Sequence, residues 1–275
     1  MDVAPKTSRK ITRRGFFKAA GFGSASAVAT LAYGDITSSR VEVVRRSLTV
    51  PRWDADEIRV GVLADLHLDD GDAVERASAA IRLTIKEQPD LIVCVGDYLT
   101  SSSTGRLQNV QKTMSVLNEF PGPVLGILGN HDYSGENISR LVNGLRSSKM
   151  RLLRNEMIEV QGVRIWGLDD ALQKQYRPDL VTGDKNTLVL LHEPDYVSEV
   201  PHGPSLQISG HSHGGQICLP GGYAVHTPKG ARKFIAGFYQ DQVVPVYVSR
   251  GIGTTGPNWR MFCPPEASIL TLKGS

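Results

Sequence analysis

Five short apolar runs in this chain each end at a polar residue that could bind a metal ion. The runs span residues 58–64, 91–95, 124–128, 187–191 and 206–209, and they lead to Asp65, Gly96-Asp97, Gly129-Asn130, His192 and Gly210-His211. Continuous apolar runs of this length are typical of strands that are covered on both faces. The repetition therefore predicts an α/β domain built on a buried sheet.

The first three runs alternate with stretches that favour helix. Residues 73–87 and 107–119 lie between the strands, and residues 140–145 follow the third strand. A β-α-β-α-β order predicts parallel pairing with right-handed crossovers. Ligands of such sheets gather beyond the carboxyl ends of the strands, so we expect the polar endpoints to meet at one edge.

The second half of the chain is poorer in helix and richer in short strands. Candidate strands cover residues 157–160, 163–168, 246–249 and 268–272, with frequent Gly and Pro between them. This pattern predicts a second sheet packed against the first. Ahead of the first apolar run, the alternating residues 41–44 predict an edge strand.

The residues at the strand ends form a set suited to metal binding. Asp65 and His67 stand two apart, and positions i and i+2 of an extended chain point to the same side. Asp97 has two carboxylate oxygens, so it can bridge two ions. The full candidate set is Asp65, His67, Asp97, Asn130, His192, His211 and His213. Nitrogen and oxygen ligands without thiolate suit Zn²⁺, Mn²⁺, Fe or Co.

Any one of these residues alone has a structural explanation, since an aspartate after a strand is commonly a turn or cap residue. The joint pattern outweighs that explanation. Of the seven histidines in the chain, five fall in the strand-end strings, at positions 67, 131, 192, 211 and 213. A metal-binding site is therefore the better interpretation of the set.

The ordered strings resemble the motifs of the calcineurin-like metallophosphoesterases. They are Asp65-Leu66-His67, Gly96-Asp97, Gly129-Asn130-His131-Asp132, His192 and Gly210-His211-Ser212-His213, and the resemblance covers about residues 58–272. It implies an α/β fold of two packed mixed sheets flanked by helices, a four-layer αββα sandwich. It also implies a metallophosphoesterase domain at residues 58–275, preceded by an extension at residues 35–57.

The resemblance further implies how the ligands divide between two divalent ions. Asp65, His67, Asp97 and His213 would hold the first ion. Asp97, Asn130, His192 and His211 would hold the second, with Asp97 as the bridge. In one departure from the family, Thr100 stands where many relatives have a second acid three residues after the bridging one. This departure removes no ligand.

Two divalent ions that share a water lower its pKa towards neutrality, which would give a hydroxide nucleophile for attack on a phosphate ester. His131 is then placed to stabilise or protonate the leaving oxygen. We expect Asp132 to orient His131 by accepting a hydrogen bond from its other ring nitrogen. The catalytic candidates are thus His131 and Asp132, whose alternative role is a structural contact beside the metals.

The N-terminal segment resembles a twin-arginine export signal. Arg13-Arg14-Gly15-Phe16-Phe17 precedes an apolar stretch at residues 19–33, which is shorter than the ~20 apolar residues of a spanning helix. We assign residues 1–34 to this signal, which makes the export machinery a partner. The expected location is the periplasm or the outer face of the membrane or cell envelope, with peripheral envelope association as an option. The cleavage point, or a retained anchor, stays open.

Positive charge is concentrated in that segment. Residues 1–33 hold six basic side chains and one acid, so the remainder has 25 basic and 27 acidic residues. A nearly neutral body gives no support for general nucleic-acid binding. The three cysteines do not predict a disulfide framework. Cys94 lies in an apolar run, whereas a Cys218–Cys263 bridge stays open for an oxidising compartment.

Three functions are compatible with these residues. The first is a metal-dependent phosphodiesterase, favoured because GHSHGGQ at residues 210–216 and SRGIG at residues 249–253 resemble a small exported phosphodiesterase-like branch. The second is a pyrophosphatase acting on a nucleotide-linked lipid such as UDP-2,3-diacylglucosamine, against which export argues. The third is a metal-stabilised envelope binding protein without turnover.

Overall fold

The structure is a computed structural model that describes residue 34 and residues 37–101, 104–134, 138–183 and 185–274. Apart from Gly34, the predicted export signal lies outside these residues. Within the described ranges, none of the helices has both the length and the hydrophobicity that crossing a bilayer requires.

Fourteen strands and three α-helices are found in the described residues. The strands are β1 (Glu42–Thr49), β2 (Ile58–Leu63), β3 (Leu91–Val95), β4 (Val124–Ile127), β5 (Arg151–Leu152), β6 (Glu156–Val160), β7 (Val163–Gly167), β8 (Thr187–Leu190), β9 (Leu206–Ser209), β10 (Cys218–Leu219), β11 (Tyr223–Ala224), β12 (Gly237–Tyr239), β13 (Val246–Val248) and β14 (Glu266–Lys273). The helices are α1 (Gly71–Lys86), α2 (Leu107–Met114) and α3 (Ile138–Arg146).

The first sheet has the strand order β1-β14-β2-β3-β4-β5. Strands β2 to β5 are parallel, as the alternation of apolar runs and helices predicts. The predicted edge strand is also confirmed. It forms β1, which is longer than residues 41–44 and brings part of the predicted extension into the sheet.

The prediction that residues 268–272 belong to the second sheet is wrong. They form β14, which lies in the first sheet, parallel to β1 and antiparallel to β2. Both faces of β14 are buried: Ala267 packs on the helix side, and Leu270 and Leu272 pack between the sheets. A strand with two apolar faces fits the interior of either sheet, so its sequence pattern does not choose between them.

The second sheet has the order β12-β13-β9-β8-β7-β6. Its central strands β13, β9, β8 and β7 are parallel, and its two edge strands are antiparallel to their neighbours. Strands β10 and β11 form a separate two-stranded hairpin. Two mixed sheets in an α/β fold confirm the predicted fold class.

Two apolar layers hold the sheets in place. Residues such as Val62, Val93 and Ile208 pack between the sheets. Helices α1 to α3 cover the outer face of the first sheet through Ile81, Met114 and other buried residues. The outer face of the second sheet is covered by loops and single 3₁₀ turns such as Pro178–Leu180 and Pro194–Glu199. This packing leaves the carboxyl ends of the parallel strands as the place where polar side chains meet.

Candidate metal centre

All five predicted strand ends converge, and they bring the candidate ligands together at the carboxyl edge of both sheets. Asp65 follows β2, Asp97 follows β3 and Asn130 follows β4, whereas His192 follows β8 and His211 follows β9. Hydrogen bonds join the ends of the two sheets: His211 N donates to Oδ1 of Asp65 at 2.9 Å, and Nδ1 of His192 lies 2.7 Å from Val95 O. The two sheets therefore contribute to one site.

The first group of ligands consists of Asp65, His67 and His213. One donor atom from each residue lies within 4.8 Å of the others, and all three side chains are buried. The Nε2 atoms of His67 and His213 face each other at 3.1 Å. Two imidazole nitrogens at this distance need a proton or a cation between them.

The second group consists of Asp97, His192 and His211, whose donor atoms also lie within 4.8 Å of one another. The Nε2 atom of His192 is 3.1 Å from Oδ2 of Asp97. The same Oδ2 atom is 3.7 Å from Nε2 of His67 in the first group. Asp97 thus faces both groups, which is the position that a bridging carboxylate requires.

The donor atoms fit a pair of divalent cations. The Oδ1 atom of Asn130 is buried and has no hydrogen-bond partner among the described residues. A buried carbonyl oxygen without a donor costs free energy unless a cation or water satisfies it. All seven predicted ligands are therefore assembled, and their nitrogen and oxygen atoms suit Zn²⁺, Mn²⁺, Fe or Co.

Hydrogen bonds on the far side of the rings fix which histidine nitrogen faces the site. The Nδ1 atom of His67 lies 2.8 Å from Oγ1 of Thr100, and Nδ1 of His192 lies 2.7 Å from Val95 O. The Nε2 atom of His211 lies 2.9 Å from Lys229 O. A ring N–H donated to such an oxygen leaves the opposite nitrogen unprotonated and ready for a metal.

The backbone at the ligands is unusual, since Asp65, His67, Asp97, His211 and His213 all have φ between 43° and 70°. Non-glycine residues adopt this left-handed region at a cost of about 1–3 kcal/mol each, unless surrounding structure enforces it. Neighbouring glycines provide the space. A Cβ atom at Gly251 would lie 2.5 Å from Oδ2 of Asp65.

His131 lies beside both groups without belonging to either. Its backbone N–H donates to Oδ1 of Asp97 at 2.9 Å, and its ring centroid is 5.2 Å from that of His67. The Nδ1 atom lies 3.0 Å from Thr100 O. This contact fixes the ring and leaves Nε2 as the atom that can exchange a proton with a substrate.

The predicted hydrogen bond from His131 to Asp132 is not found. Both oxygens of Asp132 instead accept backbone N–H groups: Oδ2 accepts from Asp97 at 3.0 Å and Gly129 at 2.9 Å, and Oδ1 accepts from Tyr98 at 2.8 Å. Thr100 O has the role that we predicted for Asp132. The Asp132 side chain is buried and points into the turn, so it positions the strand ends that carry Asp97 and Asn130.

Comparison with known proteins agrees with this geometry. The sequence profile of the calcineurin-like phosphoesterases matches residues 58–215. This chain belongs to the calcineurin-like phosphoesterase family. It is therefore a metal-dependent phosphoesterase, and its two ligand groups provide for two metal ions.

Two curated relatives align over most of their length. The chain is 30% identical to "Uncharacterized metallophosphoesterase YkuE" of Bacillus subtilis, over 97% of this chain and 99% of that protein. It is 28% identical to "Phosphodiesterase YaeI" of Escherichia coli, over 84% of this chain and 88% of that protein. A dimetal phosphatase structure from Danio rerio aligns at 14% identity over 71% of this chain and 88% of that chain, with a TM-score of 0.49.

Burial and charge set the protonation of the phosphoesterase site. Burial raises the pKa of Asp65 to about 7 and lowers that of His67 to about 4. Burial would also raise the pKa of Asp97, but the charges of His192 and His67 hold it below its ordinary value. The pKa of His192 is raised because Asp97 outweighs the effect of burial.

A cleft of about 410 Å³ opens next to the ligands. Part of its lining consists of Asp97, Asn130, His131, His211 and His213. The apolar part of the lining consists of Leu172, Ile217, Val225, Pro228 and Pro257, and His226 and Lys229 line the cleft as well. The cleft thus combines candidate metal ligands and His131 with an apolar lining.

Sequence reasoning missed two buried groups near the ligands. The Arg260 guanidinium is fully buried and donates to Gly253 O at 2.6 Å and to His213 O at 3.2 Å. Behind His192, the buried acids Asp170 and Glu193 lie together, and Glu193 accepts from Ala171 N at 3.2 Å. Arg260 lies in a Pro/Gly-rich stretch without periodicity, so no sequence signal points to it. Glu193 follows a predicted ligand directly, which is the one available signal.

Cys218 and Cys263 are both buried free thiols. Their Sγ atoms lie 3.2 Å and 3.4 Å from Gly214 O. Cys94 is also buried, and burial raises the pKa of its thiol to about 12, which agrees with an inert core residue.

Proposed function

We propose that this phosphoesterase is a phosphodiesterase that acts outside the cytoplasm. The observation that carries the proposal is the cleft, in which His131 and members of both ligand groups share the lining with an apolar wall. A phosphodiester has a second organic group that a monoester lacks, and the wall offers a surface to receive it. The phosphodiesterase name of the E. coli relative supports the same choice.

The two ligand groups would hold two divalent ions, which when bound would lower the pKa of a water and neutralise charge on the phosphate. Asp97 faces both groups, so it would contribute to both ion sites. His131 acts on the leaving oxygen through Nε2. Because Thr100 O accepts the Nδ1–H group in both protonation states of the ring, the proton that moves is the one at Nε2.

The full-length protein tests this proposal with matched esters. We expect Mn²⁺- or Zn²⁺-loaded protein to hydrolyse bis-p-nitrophenyl phosphate faster than p-nitrophenyl phosphate. Chelation should abolish both activities, and Asp97→Ala should not be rescued by added metal. Faster turnover of the monoester would contradict the diesterase proposal while leaving the phosphoesterase family assignment intact.

Absence of turnover with both esters in folded, metal-loaded protein would favour the other two functions. A pyrophosphatase would then cleave a nucleotide-linked lipid such as UDP-2,3-diacylglucosamine, for which the apolar wall is also suited. A binding protein would retain ligand affinity without cleaving any of these substrates.

Export by the twin-arginine route remains part of the proposal, and the string at Arg13-Arg14 supports it. The matched test replaces both residues by lysine, which keeps the charge. We expect Arg13→Lys/Arg14→Lys to leave the enzyme active but retained in the cytoplasmic fraction. An unchanged distribution between cytoplasm and periplasm or envelope would contradict this route.

A further inference from the structure

The hairpin at residues 217–225 exposes an unusual amount of apolar surface. Leu219 is 58% exposed, Tyr223 73% and Val225 63%. Eight large apolar side chains are exposed among the described residues, and these three lie within one seven-residue stretch. Leu219 and Tyr223 are direct cross-strand partners of β10 and β11. Contiguous apolar surface of this kind commonly marks an interaction site.

The hairpin is firmly attached to the metal-binding loop. Cys218 N donates to Met261 O at 2.9 Å at the base of the hairpin. Ala224 packs on Gly215, two residues after His213, where a side chain at position 215 would collide with it. Ile217 and Val225 also form part of the cleft wall. A partner that covers the exposed end of the hairpin therefore lies at the mouth of the cleft.

The sequence around the hairpin contains many more basic than acidic residues. Between residues 200 and 265 the only acid is Asp241, whereas the same stretch contains Lys229, Arg232, Lys233, Arg250 and Arg260. Arg260 is buried and Arg250 pairs with Glu266 and Glu42, but the other three basic side chains are exposed. Arg232 and Lys233 lie next to Asp195, whereas Lys229 lines the cleft together with Val225 of the hairpin. The exposed charge next to the hairpin on this side is therefore that of Lys229, which favours an anionic as well as apolar partner.

The N-terminal end of the described chain lies close to the hairpin. Gly34 is buried, and a Cβ atom there would lie 2.9 Å from the Trp259 ring. Its carbonyl accepts from Arg260 N at 3.3 Å. A few residues later, Arg40 lines a hollow together with Glu42, which is paired with Arg250, and with Gly221 and Gly222 at the hairpin tip. The apolar stretch predicted at residues 19–33 is thus joined to the protein next to the hairpin.

We propose that this hairpin docks on an anionic lipid bilayer. Leu219 and Tyr223 enter the boundary between headgroups and acyl chains, while Lys229 and Arg40 lie near the lipid phosphates. The cleft then opens at the bilayer surface, so its apolar wall continues into the lipid. This docking goes beyond the hydrolytic activity and does not depend on it.

A tryptophan placed in the hairpin tests the contact in the full-length protein. We expect Tyr223→Trp fluorescence to shift to the blue and to be quenched by vesicles of brominated phosphatidylglycerol. The matched control is Met157→Trp, because Met157 is 41% exposed on β6, in the edge strand of the second sheet. Relative to the parent protein, which has the same three native tryptophans, quenching should increase at position 223 and stay unchanged at position 157.

Charge and hydrophobicity are tested separately. Neutral phosphatidylcholine vesicles should lower the partitioning of the hairpin by about fivefold for each basic side chain that contacts anionic lipid. Adding Leu219→Ser to Tyr223→Trp should reduce the quenching while activity towards a soluble diester is unchanged. Equal quenching at positions 157 and 223, or none at 223, would overturn the proposal. A blue shift at 223 without vesicles, and without quenching by them, would overturn it in favour of residues 19–33 covering the hairpin.

Discussion

The two ligand groups have similar donor atoms but opposite charges behind them. Behind the first group lies the buried Arg260 guanidinium, whose charge lowers the pKa of Asp65 against the effect of burial. Behind the second group lie Asp170 and Glu193, and the Glu193 charge raises the pKa of His192. A cation is therefore repelled from behind at the first group and attracted from behind at the second. We expect the second group to bind its metal more tightly.

Asp97 faces both ligand groups, so its replacement should have the largest effect on activity. Asp97→Asn keeps Oδ1 for the His131 N–H group but removes the charge that faces both groups. We expect kcat/KM to fall by about 10³-fold or more, since metal-assisted charge stabilisation contributes several kcal/mol. Metal analysis should find fewer than two ions per chain. Two tightly bound ions in this variant would contradict the bridging position.

His131 belongs to neither ligand group, so replacing it separates a loss of catalysis from a loss of metal. We expect His131→Gln to lower kcat by about 10²–10⁴-fold, the usual contribution of a general acid or base. Because His131 is not a ligand, the variant should retain two metals with unchanged affinities. Loss of metal together with activity would instead assign His131 a structural role beside Asp97.

Glu193→Gln tests the charge behind the second group directly. The amide oxygen can still accept the Ala171 N–H group, so the fold is kept while the charge is removed. We expect one of the two metal affinities to weaken by about 10–100-fold, the usual effect of changing a partner behind a ligand. Titration calorimetry would resolve the two sites. Equal weakening at both sites would show that the difference in charge does not distinguish the groups.

The smallest expected effect concerns stability and comes from Asp170. Its Oδ2 atom is buried and has no hydrogen-bond donor within the part of the chain that the structure describes, and burial and Glu193 raise the pKa of Asp170 to about 9. An unfolded aspartate has a pKa of about 3.9, so the folded state binds this proton more tightly. The resulting stability is complete below pH of about 4 and is lost as the pH rises towards about 9.

Asp170→Asn removes this titration and keeps an oxygen for the Gln173 N–H group. We expect the melting temperature of the variant to exceed that of the parent by a margin that widens between pH of about 4 and about 9, by about 2–4 °C for each kcal/mol of difference. Thermal unfolding across this pH range measures the effect. A constant offset between the two proteins at every pH would exclude a shared proton as the cause.

The sequence predicted the structure best where a residue pattern is compatible with only one local structure. Apolar runs that end in Asp, Asn or His predicted the strands, their parallel order and the convergence of all seven ligands. It failed where the outcome depends on tertiary contacts. The left-handed backbone of Asp65 and His211 is not encoded by residue type, and it is enforced by packing against residues such as Gly251.

The role of Asp132 was wrong for a related reason. Its position next to His131 suggested a side-chain pair, but four backbone N–H groups of the turn satisfy the carboxylate better. Arg260 was missed because it donates to backbone carbonyls. Every residue has a backbone carbonyl, so the sequence does not indicate these partners. Side-chain motifs predicted which candidate ligands come together, whereas groups that hold the backbone need the three-dimensional structure.

The place of β14 has a consequence for the order in which the protein is built. Residues 266–273 lie between β1 and β2, near the start of the chain, so the first sheet stays split until they have left the ribosome. Such distant pairing slows folding because a long loop must close before the contacts form. Strand β2 leads directly into Asp65, so the metal centre can mature only after synthesis has reached β14. Nascent chains halted before Glu266 should therefore lack the folded site, however many of the ligands they already contain.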